Sequence, residues 1–146
     1  MYGKHIIVPR DGICASQAPD ILETYEVHQC LAFALYDPNL KIGGLAHLVH
    51  EDSTAFKLNA ANVVDQLLKE MKNNGPLSND IIAKMCGETH TSHEKSSMVK
   101  DKLSSYGIKL SGEDRGGLDQ RNVIFYLDGG DLHVFYINSQ NEPKII

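Results

Sequence analysis

The sequence is poor in cysteine, in positive charge and in long apolar runs, and each shortage excludes something. Its 3 cysteines, Cys14, Cys30 and Cys86, are odd in number and scattered along the chain. That argues against a disulfide framework and for reduced thiols in the cytoplasm. No apolar stretch approaches the ~18 residues of a membrane span, so no membrane insertion is expected. Near the start only Ile6-Ile7-Val8 precede Pro9. A signal peptide needs about 7–15 apolar residues, so secretion by that route is not expected. With 14 Lys and Arg against 19 Asp and Glu, the formal charge is −5. Without a basic run, such a chain is a poor partner for nucleic acid or an anionic membrane. There is no internal repeat and no low-complexity segment. Gly116-Gly117 and Gly129-Gly130 fit neither the dinucleotide fingerprint nor the phosphate loop, and tight turns explain them.

What is present suits a single domain over residues 1–146, long enough to bury roughly 68–70% of its unfolded surface. Residues 5–8 and 12–15 read as short strands on either side of a Pro9-Arg10-Asp11-Gly12 turn. Residues 31–36 are apolar throughout, as in a strand covered on both faces. Asp37-Pro38-Asn39 turns the chain, and residues 42–49 run back as the next strand. Over residues 60–73, Val63, Val64, Leu67, Leu68 and Met71 form the stripe of an amphipathic helix that Gly75-Pro76 ends. Residues 81–86 read as a buried strand. Residues 96–106 form a second helix with Val99, Leu103 and Tyr106 on one face and Gly107 as its stop. A strand starts at residues 108–110. Residues 123–127 and 132–137 pair as a hairpin through Asp128-Gly129-Gly130-Asp131. The expected class is α+β: a strand-rich, sandwich-like core flanked by two main helices.

Chemistry points first to Cys30, at the junction between the polar residues 23–29 and the apolar strand. Antiparallel pairing of residues 31–36 with 42–49 brings His47 back to the same end. A thiol beside an imidazole is the minimal nucleophile–base pair, and an imidazolium there would lower the thiol pKa and supply thiolate. Gly43-Gly44 leaves open space or permits a close backbone approach. The imidazole needs an orienting group. Thr24 offers a hydroxyl, Glu23, Glu26 and Asp52 offer carboxylates, and local sequence does not choose among them. Metal binding is the competing chemistry. His47-x-x-His50 lies on a strand, where positions three apart face opposite ways. His90-x-x-His93 lies in a polar loop. Neither has a closed zinc spacing and no C-x-x-C occurs, so neither metal nor cofactor is expected.

The motifs also stand in a recognisable order. Thr24 lies six positions before Cys30 and His47 seventeen after it. Around them run Leu35-Tyr36-Asp37-Pro38 and Ile42-Gly43-Gly44-Leu45-Ala46-His47. Farther on come Ala83-Lys84-Met85-Cys86-Gly87, Tyr106-Gly107-Ile108 and the segment from Glu113-Asp114-Arg115-Gly116-Gly117 to Arg121-Asn122-Val123. From about Ile6 to Tyr136 the chain resembles the chemoreceptor glutamine deamidases called CheD. That resemblance implies sheets packed between helices, as in certain toxin deamidases. It implies conversion of receptor glutamines to glutamates, with some methyl-ester hydrolysis. It also implies a catalytic set of Thr24, Cys30 and His47, with Thr24 orienting the imidazole, and a CheC-type phosphatase as partner. In such a reaction Cys30 attacks the carboxamide, backbone N–H groups hold the oxyanion, and His47 protonates ammonia and activates water.

The departures from the family pattern are expected to line the substrate entrance. The family's G-x-GSC is Glu26-Val27-His28-Gln29-Cys30 here, its LP after the histidine is His50-Glu51, a motif glycine is Glu88, and another is Gln120. Two other readings follow: the same chemistry on a different cellular or host protein, or a module that only binds. The retained Thr24, Cys30 and His47 argue against pure binding. Restoring small residues with His28→Gly and Gln29→Ser is expected to change which proteins are accepted, measured as ammonia release from receptor fragments. Unchanged preference would remove this turn from the specificity argument.

Overall fold

Two five-stranded sheets face each other across a shared apolar layer. The computed structural model describes residues 3–51, 55–139 and 141–146. The elements are β1 (His5–Ile7), β2 (Ile13–Gln17), β3 (Ile21–Val27), β4 (Leu31–Asp37), β5 (Ile42–Leu48), α1 (Val63–Lys72), β6 (Ile82–Gly87), α2 (Glu94–Tyr106), β7 (Lys109–Arg115), β8 (Arg121–Tyr126), β9 (Asp131–Tyr136) and β10 (Lys144–Ile145). The first sheet has the order β1-β3-β8-β9-β10 and the second β2-β5-β4-β6-β7.

Strand β4 shows why its sequence is apolar at every position. Side chains alternate across a strand. Leu31, Phe33 and Leu35 join the core under the helices, while Ala32, Ala34 and Tyr36 join the layer between the sheets. Helix α1 contributes Val63, Val64, Leu67 and Met71 to the outer core, and α2 contributes Val99 and Leu103. The α+β class and the strand-rich sandwich flanked by two helices therefore stand. The layers differ from the implied arrangement of sheets between helices, because both helices cover the same sheet.

Other differences have local causes. β1 and β2 flank the Pro9 turn but enter different sheets: β1 runs parallel to β3, and β2 pairs antiparallel with β5. β3 lies within residues read as polar, because Glu23 and Thr24 are buried there by tertiary partners. Helix α1 begins at Val63 rather than at residue 60. The Asn59 carboxamide oxygen accepts Ala61 N–H at 2.9 Å and that of Asn62 accepts Asn59 N–H at 3.0 Å, which holds a turn in place of helix. Helix α2 begins two residues early, at Glu94. Tyr106 was expected on its buried face but is 48% exposed; at the last turn the apolar stripe runs past the core, and its hydroxyl donates to Asp65 instead. β7 outruns residues 108–110 because parallel pairing with β6 carries the ladder to Arg115, and β10 was not expected.

Gly43-Gly44 marks close approach on both faces. A Cβ on Gly43 would stand 2.5 Å from Leu127 Cδ2 across the gap between the sheets. One on Gly44 would stand 2.6 Å from Leu67 Cδ1 of α1. Since Leu67 is fully buried, Gly44→Ala is expected to destabilise by about 1–3 kcal/mol. The measurement is a lower urea midpoint at unchanged slope; an unchanged midpoint would contradict the packing.

Candidate active site

The site forms where the chain crosses from one sheet to the other. β3 pairs antiparallel with β8, and the register slips between Thr24 and Val27, with Glu26 at φ 58. The slip is a β-bulge, which turns a strand locally, and Val27 re-enters the layer between the sheets. The chain then passes through His28 and Gln29 to Cys30, one residue before β4. Cys30 is 4% exposed and belongs to that layer. Its carbonyl accepts Glu88 N–H at 2.8 Å. A side chain on Gly87, whose φ is 116, would come within 2.5 Å of the same carbonyl. The glycine in Ala83-Lys84-Met85-Cys86-Gly87 therefore makes room for the Cys30 backbone.

His47 lies on β5 directly across from Ala32. Cys30 precedes Ala32 by two residues and shares the layer between the sheets with it, while no hydrogen bond joins its thiol to the His47 ring. Thr24 reaches His47 from the opposite sheet. Its Oγ1 lies 2.7 Å from His47 Nδ1 and 2.8 Å from the Val8 carbonyl oxygen. A hydroxyl has one proton and a carbonyl only accepts. Thr24 therefore donates to Val8, Nδ1–H donates to Thr24, and the imidazole lone pair is on Nε2. That nitrogen is buried and makes no hydrogen bond.

Of the described candidates, Thr24 is the one that contacts the ring. Glu23 accepts hydrogen bonds from His5 Nδ1 at 2.6 Å and from the Tyr25 hydroxyl. Glu26 is exposed in the bulge, and Asp52 lies outside the described residues. His47 and His50 have separate partners: His50 donates to Asp11 at 3.3 Å and stacks on Phe56. His90 and His93 are exposed at and before the start of α2. Among the described residues no group of three or more His, Cys, Asp or Glu side chains converges as a metal site.

Burial governs the charges. It pushes His47 from the ordinary 6.5 down to about 4, helped by Arg10 and opposed by Asp11. It pushes the Cys30 thiol up, against the pull of the Arg10 and Lys95 cations. The resting pair is therefore neutral thiol and neutral imidazole, in place of the thiolate–imidazolium pair expected from sequence. Cys86 sits across from Ala32 on β6, and burial pushes it up to about 12. Cys14 is raised by burial and by Glu70 and Asp20. All three thiols are free.

Several participants escaped the sequence reading. Val8 acts through its carbonyl, which no side chain announces. Lys95 is 6% exposed, and its Nζ donates to the Gln29 carbonyl at 3.3 Å. Its signal was helical phase: Lys95, Val99 and Leu103 are four residues apart. Glu88 is fully buried at φ 58; its carboxylate lies 3.5 Å from Arg115 Nη1 and accepts no hydrogen bond.

A buried cysteine, an imidazole presenting a free nitrogen on the same face, and a hydroxyl that sets its tautomer have the make-up of a cysteine-hydrolase site, here on a two-sheet α+β framework. Comparison with known proteins gives the family. The chain is 32% identical to a protein of Clostridium novyi over 80% of its own length and 83% of the relative's. It is 30% identical to one of Methanococcus vannielii, covering 92% and 94%, and 33% identical to one of Syntrophomonas wolfei, covering 80% and 84%. Each of these carries the name probable chemoreceptor glutamine deamidase CheD. No protein-family model matches the chain. The chain belongs to the CheD family.

The His47 environment predicts acid sensitivity. The unfolded chain takes up this proton near pH 6.5 and the folded chain near 4. Stability present above pH 6.5 is therefore lost as the pH falls through that window. At about 1.4 kcal/mol per pH unit the loss reaches about 3 kcal/mol. Urea unfolding at pH 7 and pH 4 should show this loss in the wild type and a smaller one in His47→Gln. Equal losses would mean that His47 titrates normally.

Proposed function

We propose that this chain is a protein-glutamine deamidase of the cytoplasm that converts chemoreceptor glutamines to glutamates, with Cys30 as nucleophile, His47 as general base and Thr24 as the group that orients it. The observation that carries this reading is His47 Nε2: unprotonated, without a partner, and on the face that holds Cys30. The names of the relatives supply the substrate class. The free state of all three cysteines agrees with a reducing compartment. Residues 1–146 act as one deamidase domain, and a CheC-type phosphatase is its partner.

The reaction needs no cofactor. Nε2 takes the Sγ proton as sulfur attacks the glutamine carboxamide carbon, and the carbonyl oxygen becomes an oxyanion held by backbone N–H. The imidazolium returns its proton to the nitrogen, the C–N bond breaks, and ammonia leaves. Nε2 then draws a proton from water as its oxygen attacks the thioester. The C–S bond breaks, the proton returns to sulfur, and glutamate departs. A low His47 pKa suits the accepting steps, because the base is unprotonated at neutral pH.

The test is ammonia release from receptor fragments, with conversion of amide to acid read by mass. Cys30→Ala and His47→Ala should abolish turnover almost equally, since residues acting as a unit are non-additive. Thr24→Ala, which removes one neutral hydrogen bond, should cost roughly threefold to tenfold. Cys14→Ser should leave the rate unchanged. Turnover that survives Cys30→Ala would overturn the mechanism. Turnover on other proteins but not on receptor fragments would move the substrate.

A further inference from the structure

Lys95 is a buried cation with no ion pair among the described residues, and the carboxylate that feels its charge, Glu94, is fully solvent-exposed. Lys95 is 6% exposed in the first turn of α2. Its ammonium donates at 3.3 Å to the carbonyl of Gln29, the residue directly before Cys30. A buried charge held only by a carbonyl is expensive unless negative charge develops nearby. The other charged groups acting on the thiol, Arg10, which favours the thiolate, and Asp11, which opposes it, are both exposed and screened by solvent. The resting imidazole carries no charge to share.

The bond also fixes a direction. In a trans peptide the carbonyl and the following N–H point opposite ways. Gripping the Gln29 carbonyl from the α2 side aims Cys30 N–H away from that helix. The Cys30 carbonyl is tied separately to Glu88 N–H at 2.8 Å, so both peptides of the residue are held. Among the described residues Cys30 N–H has no acceptor, which leaves it as an oxyanion donor.

We propose that Lys95 is a positioning residue of this site: it anchors the Gln29–Cys30 peptide so that Cys30 N–H meets the oxyanion, and it places a positive charge beside the forming thiolate. The inference rests on the deamidase reading for its oxyanion half; the thiolate half is readable without any substrate.

The test uses the full chain as wild type, Lys95→Met and Lys95→Arg. The rate of Cys30 alkylation by iodoacetamide is followed against pH, with kcat and KM for ammonia release measured in parallel. In Lys95→Met the alkylation limb should move up by about one pH unit or more. Its kcat should fall roughly tenfold to a hundredfold with KM nearly unchanged. Lys95→Arg, which keeps the charge and a donor, should restore most of both. A purely structural lysine would leave the alkylation limb in place. Should Lys95→Met fail to fold, Lys95→Gln keeps a donor for the carbonyl without the charge, and the same limb shift is expected. A wild-type limb together with wild-type kcat in a folded, uncharged variant overturns the inference. Absence of ammonia release from the wild type overturns the deamidase reading instead.

Discussion

The two sheets approach closely enough for a threonine hydroxyl on one to reach a histidine ring on the other, and the whole site depends on that reach. The second sheet permits it with small residues at several of its inward positions. In β4 the large residues Leu31, Phe33 and Leu35 face the helices, while Ala32 and Ala34 face the gap. In β5 Gly43 faces the gap beside Leu45, and a Cβ on it would already meet Leu127. The first sheet fills the space with Leu22, Val123 and Phe125. Toward the far end the sheets are stitched by the Tyr36 hydroxyl, which donates to the Leu127 carbonyl at 2.6 Å, and by Lys84 Nζ, which donates to the Gly130 carbonyl at 2.8 Å.

That tight gap decides the electrostatics as well. A buried apolar layer disfavours ions, so neither partner of the pair is charged at rest. The tautomer is then set by a chain of two hydrogen bonds that ends on a backbone carbonyl, with no carboxylate in it. A carboxylate in that place would favour the imidazolium and bring its pKa up. A neutral hydroxyl orients the ring and leaves it a weak but unprotonated base. Charge appears only as the proposed reaction proceeds, and the cations that answer it, Arg10 and Lys95, come from outside the strands that carry the nucleophile and base.

The departures from the family pattern gather around the same crossover. Glu26 sits in the bulge, His28 Nε2–H donates at 2.9 Å to the Leu118 carbonyl, and Glu88 follows the glycine that makes room for Cys30. These residues lie next to Cys30 in the chain or the fold and do not touch the Thr24–His47 bond. This is the physical ground for separating the chemistry of the site from its choice of substrate.

Much of this was legible in the sequence where one residue type served one local purpose. The all-apolar β4, its return as β5, the stripe of α1 and the turn at Asp128-Gly129-Gly130 are written in period and turn chemistry, which act over a few residues. The placing of Cys30 and His47 at the same end followed from a single hairpin. Other features depended on partners far away in the chain. β3 was hidden because Glu23 and Thr24 look polar until β8 and the opposite sheet bury them. The choice of Thr24 over Glu23 and Glu26 turned on the distance between sheets, and the tautomer turned on the carbonyl of Val8. The role proposed for Lys95 required knowing that α2 packs its first turn against Gln29. Sequence alone determined the central hairpin of β4 and β5, the β8–β9 hairpin, the two helices and the two residues of the candidate nucleophile–base pair, because periodicity and turn propensity are local. Only the tertiary structure decided which group holds the imidazole, which nitrogen is free and which cation stands by, because hydrogen-bond geometry and burial exist only once distant segments meet.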